Sequence, residues 1–382
     1  MIQPHGGNLI NKELPKFERK RLIEQADEFE KIQVDNETCK VIKNISFGVF
    51  SPLEGFMHRN DYINVLEHMC LENNVIWPFP IVLDVSEEQI KNIKAEDRII
   101  LTDLTNKPIA LMNVNEIYDY DKKVLAEKVY GTLDRNHPGV DKVFNKKEKL
   151  IGGEIFLINE TIAKFPDFDL KPIETRVLFK TKKWNKVVAF QTRNPPHLGH
   201  EYVQKAGLTY CDGLFINPVI GKKKKGDFLD EVIIETYKTL IKEYYPKDRV
   251  VLSTFETEMR YAGPKEAIFH AIARKNFGCD HIIIGRDHAG VGDYYGPYDA
   301  HKIFEQFPDL GIEPIFFKSF SYCNKCRSIV NDKICPHSPE LHTFFSGTKI
   351  RKVLNSGNEP SADIMRPEVA KVILKYQNPF CE

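Results

Sequence analysis

The spacing of apolar and polar positions changes near residue 180. Beyond it, apolar runs at 187–190, 214–220, 250–255, 281–285 and 314–320 alternate with helical periodicity at 198–210, 228–245, 264–277 and 300–307. Such alternation predicts a parallel sheet with crossover helices, a Rossmann-like α/β domain. Ligands of that architecture bind beyond the carboxyl ends of the strands. Before residue 168 the alternation is absent. A helical stretch at 16–31 mixes with strand-like runs at 81–85 and 98–101, which predicts a compact α+β domain built on a small β-barrel or curved sheet. After 320, two short helices at 348–354 and 367–376 remain. The chain therefore divides into an N-terminal domain at 1–168, a central α/β domain at 169–320 and a small C-terminal domain at 321–382.

The length of 382 residues accommodates these units. Lys+Arg of 54 balances Asp+Glu of 54, so no general attraction to nucleic acid or to a membrane surface is expected. The first residues contain no apolar signal core, and no run reaches membrane-spanning length. A cytoplasmic enzyme acting on small molecules is the expectation. Of the eight cysteines, Cys323, Cys326 and Cys335 cluster, which in a reducing compartment points to a metal rather than a disulfide.

The densest chemistry lies in Gln191-Thr192-Arg193-Asn194-Pro195-Pro196-His197-Leu198-Gly199-His200. It leaves an apolar strand and opens a helix, so two imidazoles fall at a strand-to-helix turn. A helix N-terminus there offers free N–H groups and a positive dipole end to an anion. Gly199 permits close backbone approach, and Arg193 supplies a planar fork for a second oxyanion. A second strand end carries Gly285-Arg286-Asp287-His288-Ala289-Gly290-Val291-Gly292. Between them, Met259-Arg260-Tyr261-Ala262-Gly263-Pro264-Lys265-Glu266-Ala267 places proline at the first position of a helix.

These three stretches resemble, in order, the signatures of ATP sulfurylases: Q-[TS]-R-N-P-x-H-x-[AG]-H, M-R-Y-A-G-P-[RK]-E-A and G-R-D-H-A-G-x-G. The segment from Phe50 to Met57 is similar to the S-P-L-x-G-F-M element of the family's N-terminal domain, which implies a fold like the PUA barrel. The resemblance covers most of the chain and implies the reaction ATP + sulfate → adenosine 5′-phosphosulfate + pyrophosphate. Arg193 and Arg286 would then bind sulfate, with Gln191 and the Ala289 N–H assisting. His197 and His200 would stabilise the α/β-phosphates, with Thr192 and Asn194 in the same catalytic turn. The turn Gly285, Arg286, Asp287 and His288 would contact adenosine, and Phe317 and Phe320 would line the site from a flexible segment. Mg²⁺ would arrive with ATP. Relatives of this length commonly form homodimers. No G-x-x-x-x-G-K-[ST] loop is present, so a fused kinase is not expected. Another H-x-G-H adenylyltransferase is the alternative, lacking only the arginine pair.

Other features stay open at this stage. Ser346-Gly347-Thr348-Lys349-Ile350-Arg351 reads equally as helix capping and as the S-[SG]-T-x-[IL]-R loop that approaches a triphosphate. The basic loop 222–225 is richer in lysine than the family pattern. Cys323-x2-Cys326-x8-Cys335 with one imidazole would close a tetrahedral, structural Zn²⁺ site. His342 is favoured as the fourth ligand, because His337 makes an unusually short C-x-H link.

Overall fold

The computed structural model describes residues 2–345 and 347–381. The N-terminal part contains strands β1 (Lys31–Gln33), β2 (Gly55–Phe56), β3 (Leu83–Val85), β4 (Arg98–Thr102), β5 (Pro108–Asp119) and β6 (Lys149–Leu157). They pair in the order β1-β4-β5-β6-β2, with β3 also on β6; only β1 and β4 run parallel. These ladders form an open path. Helical periodicity around 16–31 resolves into a helix Lys16–Glu24, a 3₁₀ turn Ala26–Glu28 and β1. Two helices of this part, Arg59–His68 and Pro138–Phe144, begin on histidine caps: His58 Nδ1 accepts from Asp61 N, and His137 Nδ1 from Gly139 N and Val140 N.

The catalytic part carries β7 (Val187–Thr192), β8 (Gly213–Ile220), β9 (Val250–Leu252), β10 (Phe255–Glu256), β11 (His281–Ile284) and β12 (Glu313–Phe316). All are parallel, in the order β10-β8-β7-β11-β12 with β9 also on β8. Helices Leu198–Tyr210, Asp230–Tyr244 and Pro264–Asn276 make the crossovers. The expected single strand over 250–255 is broken because Ser253 and Thr254 turn aside. Ser253 Oγ donates to Phe168 O at 2.8 Å and Thr254 N to the same oxygen at 2.6 Å, anchoring the segment that joins the two parts. The run 314–320 likewise stops as a strand at Phe316, leaving Phe317 to Phe320 as loop.

From β7 the chain crosses to β8 on one side, and β11 returns on the other. The order reverses between β7 and β11, where a crevice opens at the carboxyl ends. Both glycine- and histidine-bearing turns leave from these two strands. The N-terminal part is not a loose appendage, since Phe50, Trp77 and Phe79 pack on Phe269 with ring centroids 4.9–6.0 Å apart. Asn276 Nδ2 donates to Val49 O and Ser51 O, both at 3.0 Å. Beyond β12, an antiparallel sheet of β13 (Ser321–Cys323), β14 (Ser328–Val330) and β15 (His342–Phe344) carries the cysteine cluster.

Candidate active site

A cavity of about 920 Å³ opens over the β7 and β11 ends. Gln191, Asn194, His197 and His200 line one side; Gly285, Arg286, Asp287 and His288 line another; Phe317 and Phe320 close a third. At the first turn the two histidines cap their own helix reciprocally. His197 Nδ1 accepts from His200 N at 3.3 Å, and His200 Nδ1 accepts from His197 N at 3.5 Å. The imidazoles stack with centroids 3.7 Å apart. Since each Nδ1 is an acceptor, each ring proton sits on Nε2. Burial pushes His200 down to about 4, and burial plus the neighbouring His200 pushes His197 well below the ordinary histidine value. The pair thus presents two neutral N–H donors rather than two cations.

Gly199 lines the cavity, and its lack of a side chain serves a second purpose. A Cβ there would lie 2.9 Å from the His197 ring and 3.0 Å from Phe345, so the missing side chain makes room for stacked rings. Thr192 is buried, and its hydroxyl donates to Asn194 O at 3.1 Å while accepting from Asn194 N at 3.2 Å. It shapes the turn and does not line the cavity.

Arg193 is half-buried and is not among the residues that line the cavity. Its Nη2 donates to Gly290 O at 3.3 Å, its guanidinium rests 5.0 Å from the Tyr261 ring centroid, and Nη1 is buried with no protein partner. A desolvated, unpaired guanidinium N–H is costly unless an anion completes it. In the second turn, Asp287 and Ala289 adopt φ of 51° and 57°, and Asp287 N donates to Pro297 O at 2.8 Å. Arg286 and Asp287 are exposed, whereas His288 and Ala289 are buried. The sparsely populated backbone region recurs at Tyr261, φ 60°, as it does at ligand sites generally.

Against this geometry, the ATP-sulfurylase family matches residues 166–376 and the PUA-like domain family matches residues 2–160. The chain belongs to the ATP-sulfurylase family. It is 53% identical over 378 residues to a sulfate adenylyltransferase of Ignicoccus hospitalis, covering 99% of each chain. Against those of Thermococcus onnurineus and Pyrococcus abyssi it is 52% and 53% identical over 380 residues, again covering 99% of those proteins. Among solved structures, a hexameric APS kinase from Thiobacillus denitrificans superposes with a TM-score of 0.80 at 19% identity, over 99% of this chain and 69% of that one. That likeness concerns the fold.

Several residues of this ATP-sulfurylase-family site escaped the sequence reading. Arg351 Nη2 donates to Asn194 Oδ1 at 3.0 Å and to Asp227 Oδ1 at 3.4 Å. Its segment was visible as a motif, but its partner was not; Ser346 and the Thr348 side chain, the expected caps, lie outside the described residues. His270 Nδ1 meets His288 Nε2 at 3.0 Å inside the protein, and burial together with Arg274 and Arg193 pushes His288 down to about 3. Within the basic loop, Lys223 is almost fully buried and ion-paired to Asp230. Lys224 lies 5.8 Å from the Tyr261 ring, its amine pushed down by burial and by Arg193. The loop is therefore partly built into the site.

The cysteine cluster converges on His337. Its Nδ1 lies 3.4, 3.2 and 3.4 Å from the sulfurs of Cys323, Cys326 and Cys335, and Cys326 and Cys335 are 3.7 Å apart. Donors around a tetrahedral Zn²⁺ with 2.0–2.3 Å bonds should be about 3.5–3.8 Å apart. His342, favoured from spacing, instead places Nε2 3.4 Å from Cys335 alone. As part of β15 it is held opposite Cys323 by the strand ladder, whereas His337 sits in the turn that folds over the cluster. The C-x-H link is short enough. No helix among the described residues is long and apolar enough to cross a membrane.

Proposed function

We propose that the cavity binds ATP and sulfate side by side and forms adenosine 5′-phosphosulfate and pyrophosphate by direct displacement. The observation that carries this reading is Arg193, whose Nη1 is buried and unpartnered on the same β7 turn that carries the reciprocally capped His197 and His200. One sulfate oxygen forms a bond to the α-phosphorus as the bond from that phosphorus to the α,β-bridging oxygen breaks in line, releasing pyrophosphate. Sulfate is fully ionised at neutral pH, so no general base is required. The task is to bring a dianion to a polyanion and to stabilise charge gathering on the bridging oxygen.

Arg193 and Arg286 hold sulfate, with Gln191 and the Ala289 N–H. His197 and His200 donate from Nε2 to the phosphates; being neutral, they add donors without like-charge repulsion of Arg193. Asn194, fixed by Thr192 on its backbone and by Arg351 on its side chain, orients the triphosphate. The Gly285-to-His288 turn receives adenosine, and Phe317 and Phe320 enclose it. Mg²⁺ arriving with ATP would offset charge on the departing pyrophosphate. Cys323, Cys326, Cys335 and His337 would hold a Zn²⁺ ion that ties the C-terminal sheet together, as a closed four-ligand site does. Pyrophosphate release measured with and without sulfate tests the reaction. Release independent of sulfate, or requiring another acceptor, would assign the site to a different adenylyltransferase.

A further inference from the structure

His137 belongs to the N-terminal part, yet its fully buried ring reaches Tyr295, a residue lining the cavity, whose hydroxyl lies 3.3 Å from Nε2. Its Nδ1 accepts from Gly139 N at 3.1 Å and Val140 N at 3.4 Å, capping the helix Pro138–Phe144. The ring proton is therefore on Nε2, which donates to Tyr261 O at 3.1 Å. Gly139 shows how closely the two segments approach: a Cβ there would be 2.8 Å from Arg260 O.

Tyr261 needs such support. A tyrosine with φ of 60° is held in a region that non-glycine residues avoid. Glu266 accepts from the flanking Arg260 N at 2.9 Å and Ala262 N at 3.0 Å, while His137 supplies the donor to Tyr261 itself. So oriented, the ring carries the Arg193 guanidinium, 5.0 Å from its centroid, and its hydroxyl donates to Asp227 Oδ2 at 3.4 Å. Asp227 in turn accepts from Arg351, which also donates to Asn194. Apart from one bond to Gly290 O, the Tyr261 face is the contact that fixes Arg193 in place.

We propose that His137 is a positioning residue for Arg193, acting through the Tyr261 backbone, so that the N-terminal part sets the geometry of the sulfate subsite. This rests on the reading that Arg193 holds sulfate. A guanidinium free to wander loses the advantage of an anion site formed before the ligand arrives.

Two isosteric replacements separate positioning from capping. His137→Asn keeps an acceptor near the Nδ1 position and loses the distal donor; His137→Gln keeps the distal donor and loses the cap. With the full chain, the Michaelis constant for sulfate should rise at least fivefold in His137→Asn, with that for ATP within twofold of wild type. His137→Gln should instead lower the melting temperature and keep the sulfate constant within twofold. Michaelis constants do not depend on the folded fraction, so a purely structural role would leave both unchanged. Should neither variant yield folded protein, Tyr261→Leu takes their place, with a rise of at least fivefold in the sulfate constant expected. A sulfate constant within twofold of wild type in folded His137→Asn, or in Tyr261→Leu where that is the variant read, overturns the proposal. Arg193→Ala distinguishes the two levels. If it is inactive while His137→Asn is normal, only the positioning role fails; if it retains sulfate-dependent pyrophosphate release, the sulfate reading itself fails.

Discussion

Phe345 lies face to face on His197, with ring centroids 5.1 Å apart and planes 5° apart. It follows β15 directly, and β15 pairs with the strand that ends at Cys323. The C-terminal sheet therefore supplies one wall of the cavity. An offset aromatic pair contributes about 0.5–1.5 kcal/mol beyond its buried area. Phe345→Leu should accordingly raise the Michaelis constant for ATP by about 3–10-fold, the same energy expressed as a ratio. Steady-state kinetics at saturating sulfate would show it; an unchanged constant would mean that the stack does not orient His197 for phosphate.

Arg193→Ala should remove sulfate activation and leave the dissociation constant of ATP within a few-fold of wild type. Losing a charge-assisted partner to a dianion costs at least about 2–3 kcal/mol of transition-state stabilisation, roughly two orders of magnitude in rate. Isothermal titration with a non-hydrolysable ATP analogue, beside the pyrophosphate assay, reads both halves of the prediction. Near-normal sulfate-dependent release would remove the assignment.

On the proposed reading the histidines serve both as helix caps and as phosphate donors, and substitutions can separate the two. His197→Ala removes both an Nε2 donor and a helix cap, so it should lower turnover strongly and also destabilise the protein by about 1 kcal/mol. His197→Asn retains the cap acceptor and not the distal donor. It should recover the melting temperature without recovering turnover. A variant in which both return together would show that only the cap matters.

Acid should weaken the fold partly through its buried histidines. Burial pushes His5 down to about 4 and His288 to about 3. His5 Nε2 donates to Ile76 O at 2.7 Å, and its Nδ1 is buried without a partner, so the charged form has nowhere to place its second proton. Both folded-state values lie below that of an unfolded histidine, near 6.5. Between pH 6.5 and about 4 the unfolded chain therefore binds more protons, and stability falls as pH falls, by up to about 1.4 kcal/mol per pH unit for each histidine. Above pH 7 neither contributes a slope. His5→Gln keeps the donor to Ile76 and cannot titrate, so urea midpoints across pH 4.5–7 should show a shallower slope. An identical slope in the variant would exclude His5 as one of the groups responsible.

What could be read from the sequence was local. Residues 187–200 display strand, turn and cap within fourteen consecutive positions, and the helix Leu198–Tyr210 forms where its periodicity predicts. Arg193, His197 and His200 could be singled out because strand-end placement follows from chain order. Tyr261 also stood in a recognisable motif, but nothing local reveals that its carbonyl meets His137, 124 residues away in sequence. Arg351 and Asn194 are 157 residues apart, and His270 reaches His288 only because the helix packs beneath β11. Spacing likewise favoured His342 over His337, since linker length was weighed without the β13–β15 ladder that holds His342 to one side. Chain distance measures reach; it does not measure direction.

The metal provides the last prediction. Protein purified without chelator should contain about one zinc per chain, because three thiols and one imidazole match a closed structural site. His337→Ala should release it and His342→Ala should retain it, since only His337 Nδ1 lies within reach of all three sulfurs. Cys326→Ser should also lose the metal and lower the melting temperature, as a ligand bound only by the folded state stabilises that state. A closed site supplies no chemistry to sulfate or ATP, so turnover at low temperature should persist. The pairing of β13 with β15 adds a second consequence. Without zinc, Phe345 loses the support behind it, and the Michaelis constant for ATP should rise about as far as in Phe345→Leu, roughly 3–10-fold. Elemental analysis finding no zinc would reject the site, and zinc retained in His337→Ala but lost in His342→Ala would reverse the ligand assignment. Complete loss of turnover in a folded, zinc-free variant would show instead that the metal does more than hold the sheet.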